Sequence, residues 1–456
     1  MTRVLIKNAL VIATQDEVLG EVRGADVLVE GQVVAQVGQN LAADVDEVID
    51  ASGKLVVPGF VNTHHHLYQV LTRNLADTQD AKLFDWLTYH YNVWQHVRPE
   101  DLKAAALAGL GELLLTGCTT SADHHYLCPE CLASDLFAAE VEAASALGIR
   151  LHLTRGSMSL GQSAGGLPPD SVVQDETTIL KDCQRVIESF HDASQFSMTQ
   201  VALAPCSPFS VSAELMRDTA VLAREKGVRL HTHLAETLDE ENFCLQRFKK
   251  RPLEYVADLG WLGPDVWFAH CVYLNDEEIR AMAGSQTSVA HCPVSNLRLG
   301  SGIAPVPRML DAGVGVGLAV DGSASNDSSN MLRELQIALL VHRVGTGVDA
   351  MPARRVLDMA TRGGARVLGR EDLGSLAPGK AADLAVFDLT TLAYAGALHD
   401  PVSALLFCGM DQRADLVMVG GNIVVRDKNL VQVDQNLVFE QASRASLDLL
   451  KAAGIR

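Results

Sequence analysis

VVPGFVNTHHHL, residues 56–67, carries a β-branched apolar run into three consecutive histidines. On a strand, residues two apart share a face, so His64 and His66 present two imidazoles to the same side, where both can bind one ion. Seven more short apolar runs follow at intervals: GCTTSAD, IRLHLTR, TQVALAP, VRLHTHL, DVWFAHC, SVAHCPV and GVGVGLAVD. Amphipathic stretches such as SAELMRDTAVLAREKG separate them, which is the alternation of a parallel α/β fold. Eight runs match the strand number of a TIM barrel, although a doubly wound open sheet has the same periodicity. What separates the two is where the polar residues fall. The runs end in His64 and His66, His124, Arg155, Cys206, His233, His270, Asn296 and Asp321. In a barrel those carboxyl ends all open on one face and meet there.

Outside residues 58–366, which are assigned to the barrel, the texture changes. Residues 1–57 read as short β-rich runs such as ADVLVEGQVVAQVG, and a similar texture returns in KAADLAVFDL and ADLVMVGGNIVVRD. The expectation is a small discontinuous β-sandwich domain built from residues 1–57 and 367–430, with a helix over 431–456. The Gly- and Pro-rich stretch 156–171, directly after the third run, reads as a candidate lid.

The charge balance excludes one class of partner. With 37 Lys and Arg against 56 Asp and Glu, the formal charge of -19 opposes polyanion binding, so no nucleic-acid partner is expected. Nine irregularly spaced cysteines do not form a secreted disulfide framework. Lys7 interrupts the only candidate signal-peptide core, and no apolar run approaches the roughly 18 residues of a membrane span. A cytoplasmic protein without membrane association is expected.

Other chemical motifs fail on inspection. Cys128 and Cys131 have zinc-knuckle spacing, but neither a second cysteine pair nor an HxE motif accompanies them. Residues 374–380, GSLAPGK, look like a phosphate loop, yet Ala381 replaces the magnesium-binding hydroxyl and a strand pattern follows where a helix is required. No helix-opening GxGxxG is present. Asp321, by contrast, closes a very apolar run, where a carboxylate is costly without a partner that a cation would supply.

Five segments in order, PGFVNTHHHL, HTHLAE, FAHC, AVDGSASND and LGSLAPGKAADLAVFD, resemble the amidohydrolase superfamily, and the resemblance spans essentially the whole chain. It implies one divalent metal ion, with zinc expected and iron compatible, held by His64, His66, His233 and Asp321. It also implies Glu236 as the proton shuttle, His270 as the group that orients and polarises the attacking water, and Asp321 as proton acceptor; His65 and His231 are then structural. Members with two metals carry a bridging group at the end of the fourth strand, where this chain has Ala204, Pro205 and Cys206, so a single ion is expected. The implied reaction is hydrolytic deamination of an amino-substituted purine-like base, 8-oxoguanine to urate and ammonia, with an s-triazine or pterin aminohydrolase as the alternative. A non-catalytic scaffold of the same fold would have lost some of these residues. HLYQVLTR and KLFDWL are similar to the substrate loop of guanine deaminases and nominate Gln69 and Trp86 for substrate contact. His124, Arg155 and Cys206 are nominated from the strand ends; guanine deaminases have an arginine at the last position. The expected partner is a small heterocyclic base, and the expected assembly is a homodimer.

Overall fold

A computed structural model describes residues 2–128, 133–409 and 412–455. Eight parallel strands form the centre: Phe60–Asn62, Cys118–His125, Arg150–Ser157, Thr199–Pro205, Arg229–Leu234, Val266–His270, Ser288–His291 and Val316–Leu318. Each pairs with the next in this order. The ring closes where Thr63 N donates to Leu318 O at 3.1 Å and where His65–His66 pairs in parallel with Asp321–Gly322. All eight runs read from the sequence are therefore barrel strands. Small side chains at Ala122, Ala202, Ala290 and Ala319 leave room inside the barrel for Trp267, whose indole N–H donates to Thr63 O at 3.1 Å.

Helices pack around the outside, and their buried faces follow from the sequence pattern. In the helix Ala213–Lys226, Leu215, Met216, Thr219, Ala220 and Ala223 fall on one side and are buried. Ser212 caps its first turn by accepting from Leu215 N, and Gly227 at φ 68° ends it.

The chain ends meet in one continuous nine-stranded sheet, which is the form taken by the expected sandwich. Lys54–Pro58 lies between Arg3–Ala13 and the antiparallel Leu384–Asp388, with Val56 opposite Val386. The opening stretch VVPGFVN is thus shared between two sheets. Gly59 is the crossing point, and a Cβ there would sit 2.2 Å from the Thr119 side chain, so only glycine fits. The C-terminal helix runs from Gln435 to Ala452, capped by Asp434. Among the described residues no helix is long and apolar enough to cross a membrane, and eight cysteines are free, seven of them buried. Cys131 lies outside the described residues.

Candidate active site

The carboxyl ends of the first, fifth and eighth barrel strands bring His64, His66, His233 and Asp321 together. His64 Nε2 lies 3.3 Å and His66 Nε2 3.4 Å from Asp321 Oδ1, and the Nε2 atoms of His66 and His233 are 3.0 Å apart. The hydrogen bonds behind these rings fix which nitrogen carries the proton. A carbonyl oxygen only accepts, so His66 Nδ1 donates to His124 O at 2.7 Å and His233 Nδ1 to Cys206 O at 2.6 Å. His231 Nδ1 likewise donates to Trp267 O at 2.9 Å, which leaves its Nε2 to accept from His64 Nδ1 at 2.7 Å. The Nε2 atoms of His64 and His66 therefore direct lone pairs toward Asp321, and that of His233 faces His66 Nε2. Burial holds the three rings neutral, His64 and His233 well below the ordinary histidine range and His66 at about 4.

Converging lone pairs beside a carboxylate repel one another unless a cation lies among them. His64 Nε2 is fully buried and has no hydrogen-bond partner. Among the described residues His64, His66, His124 and His233 form one group of potential ligands and His64, His270 and Asp321 an overlapping one; neutral imidazoles with one carboxylate are a donor set suited to zinc or another divalent transition metal, so the residues present fit a metal ion. Further contacts hold the donors in place. Leu67 N donates to Asp123 Oδ1 at 2.7 Å, fixing the turn after His66, and Ser295 Oγ donates to Asp321 Oδ2 at 2.5 Å. His231 stacks on the Trp267 ring at 4.3 Å, and His65 faces away from the donors toward Ser329 Oγ, at 3.0 Å.

Two more groups stand over this cluster. His270 Nε2 is 3.6 Å from Glu236 Oε2 and 3.9 Å from Asp321 Oδ2, and its Nδ1 donates to Asn296 Oδ1 at 2.9 Å. Burial works against a charge on His270, but the facing carboxylates of Glu236 and Asp321 outweigh it and raise its pKa. Burial also raises the Glu236 carboxyl above its ordinary range, an effect that His270 opposes and Asp321 reinforces. Ala235, His270, Cys271 and Asp321 all have φ between 51° and 71°. Such left-handed turns in non-glycine residues gather at functional sites.

His66, His233, His270, Glu236 and Asp321 form the floor of a cavity whose walls include Gln69, Trp86 and Cys206. Gln69 lies against Gly322, where a Cβ would be 1.9 Å from its Oε1, so glycine after Asp321 makes room for the amide. The Trp86 indole N–H is buried with no partner and is available as a donor. Burial pushes the Cys206 thiol up to about 12, which removes it as a nucleophile at neutral pH.

Two nominated residues do not line the cavity. Arg155 is fully buried away from it, donating to Asp182 Oδ2 at 2.9 Å, to Gln174 Oε1 at 2.8 Å and to Gly156 O. An arginine ending a strand is a strut here because its strand continues to Ser157 and its side chain turns outward to the helix Glu176–Phe190. His124 sits behind the histidine cluster, with Nε2 donating to Ala204 O at 2.9 Å. The stretch 156–171 is not the lid either: Ser159 N and Leu160 N both donate to Ser210 O, and none of its residues lines the cavity. The cover is instead the helix Leu83–Trp94, which supplies Leu83, Trp86, Leu87 and Tyr91 at spacings of three and four. Only Trp86 of these was read from the sequence. The aromatic content of LFDWLTYHYNVW at helical spacing was the available signal. Tyr126, just past the second strand, is a further wall residue that was missed.

Comparison with known proteins identifies the family. Residues 55–424 match the amidohydrolase family. An 8-oxoguanine deaminase of Pseudomonas aeruginosa strain PAO1 is 51% identical over 92% of this chain and 93% of its own length. The chain belongs to the amidohydrolase family. Among other relatives of this amidohydrolase, a hydroxydechloroatrazine ethylaminohydrolase of Pseudomonas sp. strain ADP is 35% identical over 95% of this chain and 93% of that one. A solved structure, atrazine chlorohydrolase from Arthrobacter aurescens TC1 complexed with zinc, superposes with a TM-score of 0.94 at 35% identity, covering 97% of this chain and all of that one.

Proposed function

We propose that this amidohydrolase is a metal-dependent aminohydrolase that releases ammonia from an amino-substituted purine-like base, with 8-oxoguanine as substrate and urate as product. The observation that carries the reading is the clustering of three unprotonated Nε2 atoms, two of them beside Asp321, next to a buried acid, Glu236, in a chain half identical to an 8-oxoguanine deaminase. His64, His66, His233 and Asp321 would hold one divalent ion, zinc first and iron by the same donor chemistry. When bound, such an ion lowers the pKa of a water to about 7 and makes hydroxide available at neutral pH.

The protein's own groups account for the proton movements. Asp321 takes the proton lost by the attacking water. Glu236, whose carboxyl burial keeps above the ordinary carboxylate range, delivers a proton to the ring nitrogen next to the amino-bearing carbon. His270, held by Asn296 and facing both carboxylates, orients the attacking oxygen and stabilises charge that develops on it. The bond between that carbon and its exocyclic nitrogen then breaks, the proton held by Asp321 joins the leaving nitrogen, the remaining hydroxyl proton returns to Glu236, and ammonia departs while the carbon keeps the oxygen of water. Gln69, Trp86 and Cys206 orient the base from the cavity walls.

Ammonia release from a panel of 8-oxoguanine, guanine, isoxanthopterin, hydroxyatrazine and S-adenosylhomocysteine tests the assignment. 8-Oxoguanine should give the highest kcat/KM. Turnover of S-adenosylhomocysteine alone would overturn it.

A further inference from the structure

We infer that Glu240 is a positioning residue that holds Glu236 in its working place through the backbone. The helix Leu238–Phe248 begins after Thr237, which makes Glu240 its third residue. In a capping box the glutamate at this position reaches back to the N–H of the capping residue. Glu240 reaches further. Its Oε1 accepts from Ala235 N and its Oε2 from Glu236 N, both at 2.9 Å.

The arrangement is costly in two ways, which points to a purpose beyond capping. Glu240 is fully buried, and these two N–H groups are the only hydrogen-bond donors to its carboxylate among the described residues. A carboxylate buried without a cationic partner is unfavourable unless strong hydrogen bonds and the positive end of a helix support it. The clamp also holds Ala235 at φ 52°, a left-handed conformation disfavoured for any residue with a Cβ. That turn lifts the chain from the end of the fifth barrel strand, where His233 faces His66, and aims Glu236 at His270. The turn is tied down on its other side by Tyr273 N donating to Ala235 O at 2.9 Å, so Glu236 projects from a backbone fixed at both ends. An acid displaced by about an ångström loses on the order of 100-fold in rate.

This inference rests on the proposed role of Glu236, and its test separates the two. Metal content, kcat, KM and amide exchange of the segment 233–237 are measured for the full-length metal-loaded protein and for Glu240→Gln, Ala235→Gly and the double variant. Glu240→Gln should keep one ion per chain, lower kcat by roughly 10- to 100-fold with KM changed less than about threefold, and speed exchange of the Ala235 and Glu236 amides. Because glycine adopts the left-handed turn freely, Ala235→Gly should recover part of the lost kcat in the Glu240→Gln background and do nothing comparable in the wild type. A kcat within twofold of wild type in Glu240→Gln would overturn the positioning role, and so would metal loss matching the loss of activity. An identical effect of Ala235→Gly in both backgrounds would also overturn it. If the wild type released no ammonia from any base, the proposed reaction would fall, whereas exchange protection at residues 235 and 236 would still report whether the clamp exists.

Discussion

Replacing Arg155 distinguishes a structural strut from a substrate contact. Its guanidinium is fully buried and bonds Asp182, Gln174 and Gly156 O. Breaking a buried ion pair by removing one partner costs about 3–5 kcal/mol. Asp182 keeps its second ion pair, with Arg185 at 2.7 Å, so Arg155→Met belongs at the lower end, about 3 kcal/mol. Unfolding entropy near 2.1 cal/mol/K per residue gives a chain of 456 residues about 1 kcal/mol/K. The expected fall in Tm is therefore about 3 °C if the chain unfolds as a unit. Calorimetry measures that shift, and ammonia release assayed well below Tm should show kcat/KM within about fivefold of wild type. A loss beyond about 100-fold, carried by KM and without a fall in Tm, would place Arg155 on the substrate and refute the strut.

Two further outcomes follow from the site and the core. Glu236→Gln should retain one metal ion per chain and lose about 10²- to 10⁴-fold in kcat; near-normal turnover would remove Glu236 from the mechanism. Glu334 is buried, which pushes its carboxyl up to about 8 despite hydrogen bonds from Asn326 Nδ2 and Val294 N. Its folded-state pKa is raised, so its contribution to stability is full below the unfolded value near 4.5 and is lost as pH rises through about 8. Glu334→Gln should accordingly gain in Tm relative to wild type between pH 5 and pH 8.5, and a constant difference across that range would contradict the shift.

The barrel was legible because every strand run ends in a polar residue, and an apolar strand has few other reasons to do so. The meeting of His64, His66, His233 and Asp321 at one end of the barrel was legible for the same reason, reinforced by the two-residue spacing in His64 and His66. Side-chain direction beyond a strand end was not legible. Arg155 and His124 end their runs as His233 does, yet Arg155 turns out to Asp182 and His124 points its Nε2 to Ala204 O, choices set by neighbours more than 20 residues away in sequence. The cover was misassigned for a physical reason. Gly and Pro in residues 156–171 report a loop, but whether a loop overhangs the cavity depends on where it docks, and this one is tied to Ser210. The helix Leu83–Trp94 carried the better signal, since its aromatic side chains recur at helical spacing directly after the first strand. The reach of Glu240 back to Ala235 and Glu236 is likewise a property of the folded turn.

The account stands on a single divalent ion gathered by residues from both halves of the barrel. A crystal structure of the purified protein, with anomalous data collected at the absorption edge of the metal found by elemental analysis, tests this directly. One peak per chain is expected, with Nε2 of His64, His66 and His233 and a carboxylate oxygen of Asp321 each about 2.0–2.2 Å away. An active protein with no such peak, or with its ion bound by other side chains, would contradict the account.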